Sequence, residues 1–276
     1  MFKAFSYTSL FTALLFSSST FAANTVIAGS TSVSTLLEPF IDEYNKDNKD
    51  NKDNKPLVDL QSIGSSAGIK LLVDDTVNLA ISSRELTDKE KKSLSSTLIA
   101  YDAIAIVVHP DNPITELSTE IIWKIYHGDI KNWKELGGTD RKISVISREI
   151  ASGSRFSFEK HFGLTQEINS FTVSDISDNA LVVNGTGMVK SIVSRNPYAI
   201  GYVSAGTLGD IAQLRVLKVD SVLPSQEAIM ENKYSLSHPF LFVYKNQTVS
   251  KESTEFMNYI ASPEATKTIQ SLGYIK

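Results

Sequence analysis

The sequence predicts an α/β protein of two lobes, each a central mixed sheet flanked by helices, with a ligand cleft between the lobes. Three observations predict it. The chain has 276 residues, more than the roughly 100–200 that one compact core usually holds. Short β-branched runs alternate with stretches of helical periodicity, the pattern of sheets covered by helices. Several strand-to-helix turns share one composition, small and rich in hydroxyls. The expected division is 1–22 as an export leader, 23–106 with 239–276 as lobe I, and 107–238 as lobe II.

The leader has Lys3 ahead of an apolar run through Leu10, Leu14 and Phe16, then Thr20 and Ala22 as small residues suited to cleavage before Ala23, the layout of a cleaved secretory signal. The run is broken by Ser and Thr and is too short for the roughly 20 residues of a membrane span. Val26, Ile27 and Ala28 form a first strand. The turn Gly29-Ser30-Thr31-Ser32 leads into a helix marked by Val33, Leu36, Leu37, Phe40, Ile41 and Tyr44. Residues 46–55 repeat Lys-Asp-Asn with no apolar side chain and are expected as an inserted surface loop. The acidic spacing does not fit a calcium loop. Leu57, Val58, Leu60 and Ile63 give the next strand, Gly64-Ser65-Ser66-Ala67-Gly68 the next turn, and Ile69, Leu71, Leu72 and Val73 the next helix.

Leu79, Ala80 and Ile81 run as a strand into Ser82-Ser83-Arg84, and 104–108 is a β-branched run expected inside a sheet. Ser118 should cap a helix that carries Ile121, Ile122 and Ile125 and stops at Gly128. Ile143, Val145 and Ile146 lead to Ser147-Arg148, then to Ser152-Gly153-Ser154 and a helix ending at Gly163. Asn184-Gly185-Thr186-Gly187 opens a further helix, with Asn184 and Thr186 read as caps rather than ligand contacts. A strand follows at 199–203, and Leu241, Phe242 and Val243 return the chain to lobe I. Ser262-Pro263-Glu264 starts a C-terminal helix expected to pack on lobe I.

The chain is 42% hydrophobic and 21% charged, enough apolar surface for a globular fold. A net charge of -4 supplies no general field for nucleic acid or an acidic membrane, so an anion would have to be held by local geometry. There is no cysteine, hence neither a disulfide nor a thiol for a lipid anchor. The periplasm is the expected compartment. No cofactor and no metal are expected, because the 4 histidines stand apart and no H-E-x-x-H occurs.

The turns at Ser30, Thr31 and Ser32, at Ser65 and Ser66, and at Ser152, Gly153 and Ser154 each present a helix start, where unpaired amides and the helix dipole favour an anion and hydroxyls add donors. Any one of them alone reads as an ordinary N-cap. Gly64, Gly68 and Gly153 would allow close backbone approach to a ligand, and Arg148 has the planar fork that matches an oxyanion.

Taken in order, Gly29-Ser30-Thr31-Ser32-Val33, Ile63-Gly64-Ser65-Ser66-Ala67-Gly68, the stretch Ile130-Lys131-Asn132-Trp133-Lys134-Glu135-Leu136-Gly137-Gly138, Arg148 with Ser152-Gly153-Ser154, and Ala199-Ile200-Gly201-Tyr202-Val203 resemble the phosphate-binding component of bacterial ABC-type phosphate uptake systems, a two-lobed periplasmic binding protein. The resemblance implies binding of inorganic phosphate through Ser30, Thr31, Ser32, Ser65, Ser66, Ser83, Arg148, Ser152, Gly153 and Ser154. It also implies delivery by a monomer to a permease and ATPase complex in the inner membrane. The chain departs from some members at Ser83, where they carry an aspartate that accepts a proton from the ligand. A serine oxygen can accept the same hydrogen bond but repels a proton-free anion less, which leaves sulfate and arsenate as alternatives. Arg84 either adds charge there or forms an ion pair with Glu85 or another acid.

Two other readings stay open. Gly64-Ser65-Ser66-Ala67-Gly68 spells G-x-S-x-G between a strand and a helix, so a hydrolase with Ser66 as nucleophile, a later acid, and His238 or another of the 4 histidines as base is a competitor, although no glycine-rich oxyanion loop precedes it. An adhesin descended from a phosphate binder is the other.

Overall fold

The computed structural model describes residues 25–47, 57–208, 213–246 and 249–276. The expected leader, and residues 48–55 of the Lys-Asp-Asn stretch, lie outside the described residues. Lys46 and Asp47, expected at the start of that loop, instead close the first helix.

The first half runs β1 (Thr25–Gly29), α1 (Thr31–Asp47), β2 (Val58–Ser62), α2 (Ser65–Val73), β3 (Leu79–Ser82) and β4 (Leu94–Val108). The middle runs β5 (Glu116–Leu117), α3 (Thr119–His127), β6 (Ser144–Arg148), α4 (Gly153–Phe162), β7 (Thr165–Ile168), β8 (Phe171–Ser174), β9 (Leu181–Val183), α5 (Thr186–Val193), β10 (Ala199–Ser204), β11 (Arg215–Val216), β12 (Lys218–Val219) and α6 (Gln226–Met230). The chain closes with β13 (Ser237–Lys245), α7 (Lys251–Ile260) and α8 (Pro263–Ser271). Among the described residues no helix is long and apolar enough to cross a membrane.

One mixed sheet runs in the order β2-β1-β3-β13-β4-β10-β6-β9, with β11 also on β4. β4 belongs to both halves of it. Its residues from Leu94 to Ala103 pair antiparallel with β13, and from Ile104 to Val108 with β10. The period of two in strand side chains explains why its second part is buried throughout: Ile104, Ile106 and Val108 enter one core, and Ala105 and Val107 enter the core on the opposite face. β13 divides likewise, with Phe240 and Phe242 on one side and Leu241 and Val243 on the other. Four apolar clusters thus cover the two faces of two half-sheets, the layered plan of two lobes.

The helix signals act where the sequence puts them. Ser118 Oγ accepts from the Ile121 amide and Gly128 ends α3 in the left-handed region. Ser152 and Gly163 do the same for α4, and Ser262 with Pro263 opens α8. Phe256, Ile260, Ala265 and Ile269 of α7 and α8 pack into the core under β1 and β3, fixing the C-terminal helices on the first half-sheet.

β1 pairs parallel with β2 and β3, and β6 pairs parallel with β10 and β9. The carboxyl ends of each set therefore lie on one edge of its half-sheet, where open α/β sheets bind ligands. The turns that carry the hydroxyls are those carboxyl-end turns.

Candidate anion-binding site

The β1–α1 turn buries Ser30 and Ser32, the β2–α2 turn buries Ser65, the end of β3 buries Ser83, and the β6–α4 turn buries Arg148, Ser152 and Ser154. These come from chain segments far apart, and they meet. Ser30 Oγ donates to Ser83 Oγ at 2.9 Å, while its own oxygen accepts from the Val33 amide at 3.3 Å. The Ser83 amide donates to Ser65 Oγ at 3.0 Å. From the facing half, Ser154 Oγ lies 3.3 Å from Ser32 Oγ. A Cβ on Gly153 would stand 2.3 Å from Ser65 Oγ and 2.6 Å from Ser83 Oγ, so only glycine lets that helix start close on the opposite turns.

Arg148, 2% exposed, is held by its neighbour. Nε donates to Glu149 Oε2 at 2.8 Å and Nη2 to Glu149 Oε1 at 2.7 Å, a two-point pairing that fixes the guanidinium plane. Its outer edge turns to the hydroxyls: Nη2 donates to Thr31 Oγ1 and Nη1 to Thr186 Oγ1, each at 3.0 Å. The Arg148 amide donates to Tyr202 Oη at 3.2 Å. Burial pushes the Tyr202 phenol up to about 12, so it stays a neutral anchor at physiological pH.

Thr186 corrects the sequence reading. The N-cap of α5 is Gly185, with φ 81°, and no side chain caps the helix. Thr186 instead is 4% exposed, with Oγ1 3.1 Å from Ser32 Oγ besides accepting from Arg148. Glu149 was not singled out beforehand; besides Arg148 it accepts from the Gly185 amide at 3.2 Å, tying two turns together. The signal for Thr186 was present: strand, glycine, hydroxyl and helix start, the same form as the β2–α2 turn. Asn184 lines the mouth above the cluster, a cavity of about 510 Å³ bounded also by Thr31, Ile63, Glu149, Ala151 and Gly185.

Other expected residues fall differently. Ser152 Oγ accepts from the Arg155 amide at 3.2 Å and so works as the cap of α4. Ser66 sits at the rim, its amide on the Ala151 carbonyl and its hydroxyl accepting from Arg84 Nη2 at 3.2 Å. Gly68 serves packing rather than a ligand, since a Cβ there would meet the Ala28 carbonyl oxygen at 2.3 Å. Arg84 is 3% exposed and makes a two-point pair with Glu90, both contacts 2.8 Å; toward Glu85 it reaches only the backbone carbonyl. The Glu90 carboxyl is held below the usual range: burial raises it, but hydrogen bonds from Arg84 and the Thr87 amide outweigh that. His238 does not reach Ser66, since its ring nitrogens lie on the Ser83 carbonyl and Asp102.

The arrangement is a pocket of hydroxyls and helix-start amides with one guanidinium edge. In chemical terms it presents many donors, oxygens that can also accept, and a single cation balanced by Glu149. Neutral dipoles of this kind hold an anion without a dense positive patch.

Comparison with known proteins places this geometry in a class. Residues 17–264 match the model of the PBP superfamily domain. The phosphate-binding protein PstS of Borreliella burgdorferi is 32% identical over 252 residues, covering 90% of this chain and 88% of that protein. A protein assigned as a phosphate ABC transporter substrate-binding protein from Clostridium perfringens, solved with bound phosphate, matches with a TM-score of 0.82 and 34% identity over 92% of this chain and 99% of that one. An ABC-type phosphate transport receptor from Vibrio cholerae matches with a TM-score of 0.73 and 36% identity over 92% of this chain and 100% of that one. The chain belongs to the periplasmic-binding-protein superfamily and, within it, to the family of phosphate-binding proteins of ABC phosphate transport systems.

Proposed function

We propose that the protein binds inorganic phosphate in the cleft, at Ser30, Thr31, Ser32, Ser65, Ser83, Arg148, Gly153, Ser154 and Thr186, and delivers it to an ABC transporter. The observation that carries this is the meeting of hydroxyls from both halves around the outer edge of Arg148, where Thr31 and Thr186 each take one donor at 3.0 Å. Ser152 supports the site as helix cap, and Ser66 borders it. Phosphate is both donor and acceptor when it carries a proton, and serine hydroxyls match either role. Binding and release, without a bond-breaking step, is the reading adopted: a hydrolase would need a base on Ser66, and the ring nitrogens of His238 lie instead on the Ser83 carbonyl and Asp102.

The lobes of this reading are 23–106 with 239–276 and 107–238, joined by β4 and β13. The change of pairing partner after Ala103 on β4 supports that division to within a few residues. Closure about the joining strands would bring the two sets of turns onto the anion and exclude water. The protein acts in this reading as a monomer in the periplasm after loss of 1–22, docking in its closed form on a permease and ATPase complex. Calorimetric titration of protein stripped of bound anion by unfolding and refolding tests it: phosphate gives saturable heat at one site per chain, and absence of heat overturns the reading.

A further inference from the structure

His238 and Asp102 are buried and charged or chargeable, they belong to the strands that join the two halves, and anion binding as described uses neither. They stand opposite each other in register on β13 and β4, each 1% exposed. His238 Nε2 lies 3.1 Å from Asp102 Oδ2, and Nδ1 lies 2.7 Å from the Ser83 carbonyl oxygen. A carbonyl only accepts, so Nδ1 carries the hydrogen of that contact. Asp102 Oδ1 accepts from the Gly206 amide at 3.0 Å, in the turn that follows β10. Gly206 lies against the ring of Tyr274, where a Cβ would come within 2.2 Å. Tyr274 is followed by Ile275, which exchanges two backbone hydrogen bonds with Tyr101 beside Asp102. The pair is thus fastened to both halves at the place where the chain crosses between them.

At its other end the pair holds a site residue. Ser83 has its amide on Ser65, its hydroxyl under Ser30 and its carbonyl under His238. We propose that His238, oriented by Asp102, is a positioning residue for anion binding: its Nδ1 hydrogen fixes the Ser83 peptide, and through it the Ser30 and Ser65 hydroxyls, to the strands about which the lobes close. This rests on the proposed function above.

The test separates the two ring nitrogens. Asparagine places its amide nitrogen near the position of Nδ1, and glutamine near that of Nε2. Phosphate affinity of His238→Asn should stay within about threefold of the parent, whereas His238→Gln should lose about tenfold, the loss of one short buried hydrogen bond. A merely structural role would lower both alike, and equal affinities in the two variants overturn the proposal. In the ligand-free protein, hydrogen exchange of the Ser83 amide should quicken in His238→Gln but not in His238→Asn. That arm stands apart from phosphate: a parent protein that binds no phosphate removes the proposed function, while unchanged exchange at Ser83 removes the tether. Should His238→Gln not fold, nitrogen-15 histidine spectra of the parent decide it, with a protected Nδ1 hydrogen expected and a freely exchanging one contradicting the proposal.

Discussion

Arg148 does two things at once, and its surroundings show how they are divided. Nε and one side of the fork are spent on Glu149, which neutralises the charge and fixes the plane, while the outer edge meets the hydroxyls. Arg148→Ala should weaken phosphate binding by roughly 2–5 kcal/mol, part of it from leaving the partly buried Glu149 without its cation; an unchanged affinity by calorimetry would refute the assignment. Thr186→Val keeps the shape and removes the hydroxyl, so a loss of about 1 kcal/mol is expected, measured in the same way. The arginine and most of the serines that the structure brings together stood out in the sequence because each sat at a strand end beside a small-residue turn. Thr186 was read as a cap, since a hydroxyl next to a helix start usually is one, and only the conformation of Gly185 excludes that here. Glu149 was invisible because nothing in its spacing distinguishes a carboxylate that braces an arginine from one in solvent. Arg84 was correctly allowed an ion pair, but its partner Glu90 lies six residues on, across a turn the sequence does not define.

At the scale of elements, the function depends on helix starts meeting face to face. α4 begins at Gly153, against Ser65 and Ser83, and Gly153→Ala would force a Cβ within 2.6 Å of both hydroxyls. That variant should keep its fold, because the conflict arises only where the two halves touch, yet bind phosphate at least about tenfold more weakly; parent-like affinity would contradict the packing described. Ser152→Ala removes the cap of the same helix and should cost about 1 kcal/mol of stability, read by denaturant unfolding. The longer helices were legible from period and caps, down to the Gly128 and Gly163 stops, whereas the five-residue α6 was not. β4 was not: only 104–108 stood out, because Ser95, Ser96 and Thr97 carry no apolar pattern and are strand solely by pairing with β13. The short strands β5, β7 and β12 were likewise missed, being defined by partners rather than by composition.

For the whole molecule, ligand binding and folding are one equilibrium. Phosphate at about 100 times its dissociation constant should add about 2.7 kcal/mol of stability, raising the unfolding temperature by several degrees, about 2–4 °C per kcal/mol for a chain approaching this size. Alkaline pH should act the other way. Burial raises the Tyr202 phenol to about 12 from an ordinary value near 10, so the folded state favours the neutral form. The stability this contributes is complete below about 10 and is lost as pH rises through about 12. Tyr202→Phe should flatten that part of the alkaline unfolding curve, and an unaltered curve would deny Tyr202 this role. The two-lobed plan itself was legible from length and alternation, since a chain of 276 residues with repeated strand, hydroxyl turn and helix has few other ways to bury its apolar faces.

The most direct test of the central claim is a crystal structure of the protein grown with phosphate. The account predicts one phosphate within hydrogen-bond distance of the outer Arg148 nitrogens and of hydroxyls from both halves, Thr31 or Ser32 on one side and Ser154 or Thr186 on the other. A phosphate bound elsewhere, with Arg148 still turned only to Glu149, Thr31 and Thr186, would contradict it.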